Sequence, residues 1–154
     1  MAENTKNFDL SKALDTRKIE AVNQSIEKAH GLPNECYTSR KYLMIEREVI
    51  FKDKWTVIGV GSSVPNPGDA KPYNLLGIPL VILRDKDNIV RVFHNVCSHR
   101  GFKLLDKSCS LKNVLRCPYH SWSYDFKGKL IATPHIGGLN IHESEKFSKS
   151  KSNL

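Results

Sequence analysis

Two short segments of the chain carry the side chains with the clearest capacity for chemistry. Cys97 and His99 stand one residue apart, Cys117 and His120 stand two residues apart, and seventeen residues separate the two pairs. In a [2Fe–2S] cluster of mixed ligation, two Cys thiolates hold one iron and two His nitrogens hold the other, which raises the reduction potential. The spacing lets each segment give one ligand to each iron. It therefore predicts a site for one-electron transfer.

Structural zinc is the main alternative for two Cys and two His. Zinc patterns mostly open with two Cys that are two to four residues apart and close with two His that are three to five residues apart. Here the order is Cys, His, Cys, His, with a one-residue first gap, and this order favours the iron–sulfur site. A third alternative is that these Cys and His are ordinary core side chains that bind no metal and match the pattern by chance. We expect this less than a zinc site.

Five neighbours of these ligands are candidates for supporting the site. Pro118 lacks a backbone donor, and Gly101 tolerates backbone conformations closed to other residues, so both suit tight loops around an inorganic core. Arg100 has two interpretations of equal weight, a charge that docks or tunes the cluster edge and an ion-pair partner within the fold. Trp122 is expected to pack over the second loop, and Tyr119 lies beside His120 in the sequence.

Length and composition indicate one cytoplasmic domain. The chain has 154 residues, enough to bury a modest core. No stretch approaches the 18 apolar residues of a membrane span, and the first residues lack the apolar segment of a secretory signal. Cys36 and Cys109 are far apart in the sequence, and we expect them to be free thiols of a reducing compartment.

The net charge of +8 is unevenly distributed. Residues 1–50 carry eight basic and eight acidic side chains, whereas residues 51–154 carry sixteen basic and eight acidic ones. A basic surface near a redox centre would steer an acidic electron donor towards it, although ordinary solubilising charge explains the excess equally well. Nucleic acid is not expected as a partner, because no basic stretch is interleaved with aromatic residues.

The first part of the chain, residues 1–46, is predicted to be a helical lead-in. One helix is expected to be capped by Asp9 or Ser11 and to stop at Gly31 and Pro33, and a second is expected to begin after Ser39. The apolar positions that suggest these helices, and that we expect to be buried, are Leu10, Leu14, Ile19, Val22, Ile26, Tyr42, Leu43, Ile50 and Phe51.

From Trp55 onwards the pattern changes to short strands. WTVIGVG reads as a strand, NPGD as a turn, and IPLVILRD with NIVRVFHN as a hairpin that turns at Lys86 and Asp87. A second hairpin is predicted from Trp122 to Ala132, with its turn at Lys127 and Gly128. The basic tail of residues 141–154 is expected to be flexible. The predicted fold is mainly β with N-terminal helices.

The chain resembles the N-terminal Rieske domain of the large (alpha) subunit of Rieske non-haem iron oxygenases, the aromatic-ring-hydroxylating type. The matching stretches are IFKDKW, PNPGD, PLVILRDKDN, VFHNVCSHRG and CPYHSWSYDFKGKL, within residues 48–132. The resemblance implies a Rieske fold, an antiparallel β sandwich or barrel with a cluster-binding subdomain of two loops, over residues 47–140. It also implies that Cys97 and Cys117 hold the inner iron, and His99 and His120 the outer one.

In this family the second-loop histidine passes its electron to a mononuclear iron in the catalytic domain of a neighbouring subunit. That domain is absent from the chain, and so is the family's pattern of an acid, two residues, His, four residues and His. No catalytic residue is therefore predicted, and the remaining histidines are not expected to bind iron: His30, His94, His135 and His142. The implied partners are a reductase or ferredoxin that donates electrons and further copies of the subunit, as a trimer in the full-length enzyme.

Finer features of the resemblance concern substrate and potential. LPNECYTSRKYLMIEREVIF is similar to the lead-in of choline and glycine betaine monooxygenases. High-potential Rieske proteins usually carry a disulfide across the loops and a Ser near the cluster, where this chain has Phe102, Tyr119 and Trp122. We therefore expect a midpoint near the lower end of the Rieske range, about −150 mV. Ser121 replaces the usual Gly and is expected to be tolerated with a negative φ.

Three functional classes follow from these observations. The first is the Rieske segment of an oxygenase large subunit, which relays electrons for hydroxylation or demethylation of a small, quaternary ammonium substrate. The second is a free-standing Rieske ferredoxin, but such carriers typically lack about 50 residues before the β domain. The third is the zinc module.

Overall fold

The chain divides into two compact units, of which the first is Met1–Val57. The computed structural model describes residues 15–51, 54–134, 136 and 153–154. In the described part of this unit, α1 (Thr16–Val22), α2 (Glu35–Thr38) and α3 (Arg40–Glu46) are followed by a π-helical segment, Arg47–Phe51. Among the described residues, none of the helices has the length or apolar character of a membrane span.

The first helix is shorter than predicted. Its N-cap is Asp15, whose carboxylate accepts from the Arg17 N–H, whereas the proposed caps and the first two apolar positions lie outside the described residues. It ends at Val22 rather than near Gly31. The chain then turns back, so that the His30 N–H donates to the Ala21 carbonyl.

The second predicted helix is confirmed, but its predicted buried face is wrong. Helix α3 begins at Arg40 with Ser39 as its N-cap. Its one buried side chain is Ile45, whereas Leu43 and Ile50 are exposed. The prediction assumed an uninterrupted α-helical period, and the π-helical segment breaks that period after residue 46.

Antiparallel strands dominate the second unit, Ile58–Leu154, as the mainly β prediction requires. One sheet has the order β3-β2-β1-β4 and the other has the order β5-β6-β7. The strands are β1 (Asp69–Leu75), β2 (Ile78–Arg84), β3 (Val90–His94), β4 (Cys109–Ser110), β5 (Leu115–Arg116), β6 (Ser123–Tyr124) and β7 (Leu130–Ala132). A 3₁₀ turn, Gly61–Ser63, precedes them.

Both predicted hairpins are present, as β2–β3 and β6–β7. Their turns are built alike. Each opens with an Asp, Asp85 or Asp125, whose Oδ1 accepts the backbone N–H groups two and four residues further on. Each also contains one residue with positive φ, Asn88 at 65° and Gly128 at 83°. A Cβ on Gly128 would lie 2.6 Å from the Phe93 ring, so this turn accepts glycine alone.

Two strand predictions differ from the structure. Trp55–Gly61 forms no strand, and Trp55, Val57 and Val60 are exposed. Conversely, β1 was not predicted, because its polar sequence DAKPYNL has low β propensity. Pairing with β2 over six positions outweighs that propensity. Its Pro72 is tolerated because β4 pairs only with Asp69 and Ala70, which leaves β1 an edge strand at Pro72.

The core of this unit reaches directly to the predicted cluster loops. Alternation along the strands places Ala70, Val81 and Leu83 on the buried side of the larger sheet. The other buried members of this cluster are Cys97, Leu104, Leu115, Cys117, Trp122, Tyr124, Phe126 and Leu130. Leu154 also packs on this core, and its N–H donates to the Gly128 carbonyl. Tail residues 141–152 lie outside the described part of the chain.

Candidate metal centre

The first loop is closed by its own backbone. The Cys97 N–H donates to the Phe102 carbonyl over 2.7 Å, and the Gly101 N–H donates to the Cys97 carbonyl over 2.9 Å. Below the loop, the buried Asn95 side chain clamps the two stems: its amide donates to the Leu105 carbonyl and its Oδ1 accepts from the Leu105 N–H. These hydrogen bonds therefore fix the shape of the first loop without a contribution from a metal.

The second loop repeats this geometry. The Cys117 N–H donates to the Trp122 carbonyl over 2.8 Å, and the Ser121 N–H donates to the Cys117 carbonyl over 3.0 Å. The fifth residue of each loop has positive φ, 68° at Gly101 and 59° at Ser121. The expectation of a negative φ at Ser121 is therefore wrong, because the closing hydrogen bonds impose the left-handed conformation on whichever residue stands there.

Substitution of Ser121 by glycine is expected to stabilise the protein. The left-handed region costs an ordinary L-residue about 1–2 kcal/mol, and glycine avoids this cost but adds about 0.5–1 kcal/mol of chain entropy. We expect Ser121→Gly to raise the free energy of unfolding in urea by about 0.5–1 kcal/mol. Gly101→Ser at the equivalent position, where a Cβ would meet nothing within 4 Å, should lower it. Equal stabilities would contradict the strain at Ser121.

The two loops bring the four predicted ligands into one site with an inner and an outer side. Cys97 and Cys117 are 1 % and 2 % exposed and belong to the same buried cluster, and the nearby Cys117 thiol adds to the rise in the pKa of Cys97 that burial causes. The rings of His99 and His120 are half-buried and meet edge to face, with their centroids 4.8 Å apart. Two sulfur donors thus point inward and two imidazoles lie nearer the surface.

The donors have the properties of a metal site. Burial raises the pKa of the Cys97 thiol, although a hydrogen bond from Tyr124 opposes this. Burial, and then the charges of His120 and Arg100, lower the pKa of His99, so its imidazole favours the neutral, metal-binding form. Nδ1 of His120 is buried without a hydrogen-bond partner. Such an unpaired nitrogen costs free energy unless a bound group satisfies it, and an iron ion would do so.

Aromatic rings hold both imidazoles in place. The Trp122 ring stacks on His99, with centroids 4.5 Å apart and planes 8° apart. Tyr119 lies against His120, with centroids 3.7 Å apart. Phe102 of the first loop contacts Tyr119 of the second, with centroids 5.4 Å apart. Trp122 was expected to pack over its own, second loop, and the ring contact that it makes is with His99 of the first loop. Tyr119 and Phe102 pack at the outer edge of the site.

The structure adds Tyr124, which the sequence patterns did not single out. Its hydroxyl lies 3.3 Å from Sγ of Cys97, accepts from the Ser98 N–H and contacts the Ser98 hydroxyl. Burial raises the pKa of Tyr124 to about 12, so the hydroxyl keeps its proton and can donate it to a sulfur. A fully buried tyrosine needs such a partner, and its place just after the second loop was the available signal.

Among the described residues, the others that the sequence singled out make none of the contacts given above for the site. Arg100 is exposed and forms no ion pair among the described residues, and Pro118 is exposed at the loop surface. Cys36 and Cys109 are free thiols, half-buried and exposed. His94 lies on β3, and His135 and His142 lie outside the described residues. In the described part of the chain, no three His, Cys, Asp or Glu side chains lie close enough together to hold a single metal ion.

Comparison with known proteins gives a consistent family. Residues 54–143 match the model of the Rieske [2Fe-2S] domain. The oxygenase subunit of carnitine monooxygenase from Acinetobacter pittii is 37 % identical over 126 residues, which cover 82 % of this chain and 33 % of that protein.

The solved structures that are similar to the chain include two oxygenases of different kinds. A quaternary ammonium Rieske monooxygenase, described in connection with carnitine oxidation and inter-subunit electron transfer, aligns with a TM-score of 0.67 and 36 % identity over 81 % of this chain and 33 % of its own. Naphthalene 1,2-dioxygenase from Rhodococcus aligns with a TM-score of 0.72 and 25 % identity over 90 % and 30 %. The chain thus spans about a third of the length of the relatives it matches.

Proposed function

Because the chain belongs to the Rieske [2Fe-2S] domain family, we propose that Cys97 and Cys117 hold one iron of its cluster and that His99 and His120 hold the other. The observation that carries this assignment is the pair of equivalent loops, which brings two buried thiols together beneath two half-buried imidazoles. The unpartnered Nδ1 of His120 supports it independently. The family match removes the reason for the structural zinc alternative.

We further propose that the chain relays single electrons within an oxygenase. When bound, the cluster accepts and releases one electron at a time. The protein buries the thiol side and leaves the imidazole side near the surface, so electrons would enter and leave at His99 and His120. The proposed donor is an acidic reductase or ferredoxin, attracted by the net charge of +8.

The proposed acceptor is a mononuclear iron in the catalytic domain of a neighbouring subunit of a homo-oligomer, such as a trimer. Support comes from the relative described with inter-subunit electron transfer and from the span of the chain, about a third of such relatives. The support for a quaternary ammonium substrate is an identity of 36–37 % to carnitine and quaternary ammonium monooxygenases, against 32 % to a biphenyl dioxygenase and 25 % to a naphthalene dioxygenase.

The proposed domain division is a helical lead-in at 1–46, the cluster domain at 47–140 and a basic tail at 141–154, in a cytoplasmic protein. The two compact units of the structure meet after Val57, eleven residues beyond the proposed end of the lead-in. A lead-in of this kind favours an oxygenase segment over a free-standing Rieske ferredoxin, which remains the second candidate.

Spectroscopy of the purified chain tests the proposal. We expect a red-brown protein with two irons per chain, an EPR signal that appears on reduction, and a midpoint near −150 mV, the lower end of the Rieske range. A colourless protein that contains zinc would overturn the cluster assignment. A strongly positive midpoint would overturn the oxygenase-type assignment while leaving the cluster itself.

Loss of the Tyr124 hydroxyl is expected to lower the midpoint. Reduction adds negative charge to the cluster, so a hydrogen bond to Sγ of Cys97 is stronger in the reduced state. If Tyr124→Phe removes about 1 kcal/mol of that preference, the midpoint falls by about 40 mV, at 59 mV per tenfold change for one electron. Redox titration measures it, with the exposed Tyr37→Phe as the control. An unchanged or higher midpoint would contradict this role.

A further inference from the structure

The two ligand loops are joined to each other differently on their two sides. On the inner side, the hydroxyl of Tyr124, which follows the second loop, bonds to Cys97 and Ser98 of the first. The Trp122 ring adds a stack on His99. The bond to Cys97 is buried, and the bond to the Ser98 hydroxyl is partly buried. Within each loop the closing hydrogen bonds are internal, so they do not connect one loop to the other.

On the outer side, the ring contact between Phe102 and Tyr119 joins the loops. The two side chains are 43 % and 53 % exposed, yet their rings lie against each other, with centroids 5.4 Å apart and planes at 43°. The centroid separation lies within the range of about 4.5–7 Å in which aromatic pairs attract each other. The contact therefore bridges the loops at the surface, where water weakens hydrogen bonds and ion pairs more than it weakens a contact between rings.

Each ring of this pair is also connected to a ligand. The Phe102 carbonyl accepts from the Cys97 N–H, so the backbone of Phe102 takes part in the hydrogen bond that closes the first loop. The Tyr119 ring lies 3.7 Å from the His120 ring, centroid to centroid. The pair thus runs from the backbone of one predicted ligand to the imidazole of another.

We propose that Phe102 and Tyr119 form a noncovalent clasp that holds the two ligand loops together at their outer edge and positions the His120 ring. This inference rests on the proposed cluster function. Both residues are positioning residues, since neither supplies a donor atom. The clasp opposes separation of the two loops at the edge where the imidazoles lie.

The strength of an aromatic pair sets the size of the expected effect. Such pairs change an equilibrium by about 2- to 12-fold beyond the effect of area burial. If loop separation limits the loss of iron, removal of the clasp should shorten the half-life of the cluster by about this factor. Because both side chains are about half exposed and lie outside the buried cluster of the core, their removal should leave the fold of the domain intact.

The experiment is a double-mutant cycle on the cluster-loaded chain. Phe102→Ala, Tyr119→Ala and the double variant are compared with wild type by the half-life of visible absorbance in the presence of an iron chelator, by the EPR signal of the reduced state, and by thermal unfolding in the far-UV. Tyr119→Phe keeps the ring, and Ile131→Ala removes a side chain of equal exposure, 43 %, from β7.

The clasp predicts that each single variant loses its cluster about 2- to 12-fold faster, that the double variant loses less than the product of the two effects, and that the EPR signal of Tyr119→Ala shifts. Tyr119→Phe and Ile131→Ala should match wild type. Multiplicative effects in the cycle, or wild-type half-lives and EPR signals in the Ala variants, would overturn the clasp. If wild type itself binds no [2Fe–2S] cluster, the proposed function fails instead.

Discussion

Cys117→Ala is expected to give a folded protein that purifies without colour and without stoichiometric iron. The Cys117 thiol is 2 % exposed and lies beside Cys97 in the core, so no water or external thiol can easily take its place. The iron held by the two Cys would keep one protein ligand of two, the remaining thiolate. Visible absorption and the number of irons per chain measure the result, and Cys97→Ala should behave in the same way.

The other two cysteines provide matched controls for this experiment. Cys109 is exposed on β4 and Cys36 is half-buried in the first unit, and neither lies in a ligand loop. Cys109→Ala and Cys36→Ala should retain wild-type colour and iron content. A Cys117→Ala variant with the wild-type iron content would contradict the ligand assignment, and so would loss of iron from Cys109→Ala.

The sequence was most informative where a short local pattern determines the geometry. The spacing of the Cys and His residues located both loops, and apolar runs around Asp- and Gly-containing turns located both hairpins. Each of these features is closed by hydrogen bonds between residues at most five apart. Local sequence is therefore sufficient to specify them.

Features that depend on distant partners were missed. Strand β1 has a polar sequence and exists because β2 pairs with it. Tyr124 meets Cys97 across 27 positions of sequence, and WTVIGVG has strand-like alternation but no strand partner in the described part of the chain. Backbone strain is equally hidden, because the presence of a serine at position 121 does not reveal that the loop imposes a φ of 59° on it.

The equivalent loops differ in the side chains that surround them, and this difference gives the site its two sides. In the second loop, Trp122 turns inward beneath His99, whereas Tyr119 turns outward beside His120. The first loop contributes no aromatic side chain to the buried side. The second loop therefore supplies the packing for both imidazoles, and substitutions in it should affect both stability and the cluster.

Trp122→Ala is expected to have the largest effect on stability of any single substitution in the site. Its side chain is 1 % exposed and stacks on His99, and truncation of a buried Trp costs about 3–5 kcal/mol. That is a large part of the 5–15 kcal/mol by which a domain is typically stable. The backbone bond from Cys117 to residue 122 is unaffected, so the loss reports on the ring itself. Urea unfolding, followed by far-UV circular dichroism, measures it.

Trp55 is the natural control, because it is the only other tryptophan in the chain and is fully exposed. Trp55→Ala should change the free energy of unfolding by less than about 0.5 kcal/mol, as is usual for surface substitutions. Removal of the Trp122 ring also takes away the stacking partner of His99. Trp122→Ala should therefore lose iron faster than wild type even at urea concentrations at which the variant is still folded. A Trp122→Ala variant within about 1 kcal/mol of wild type would mean that the ring beneath His99 does not support the site.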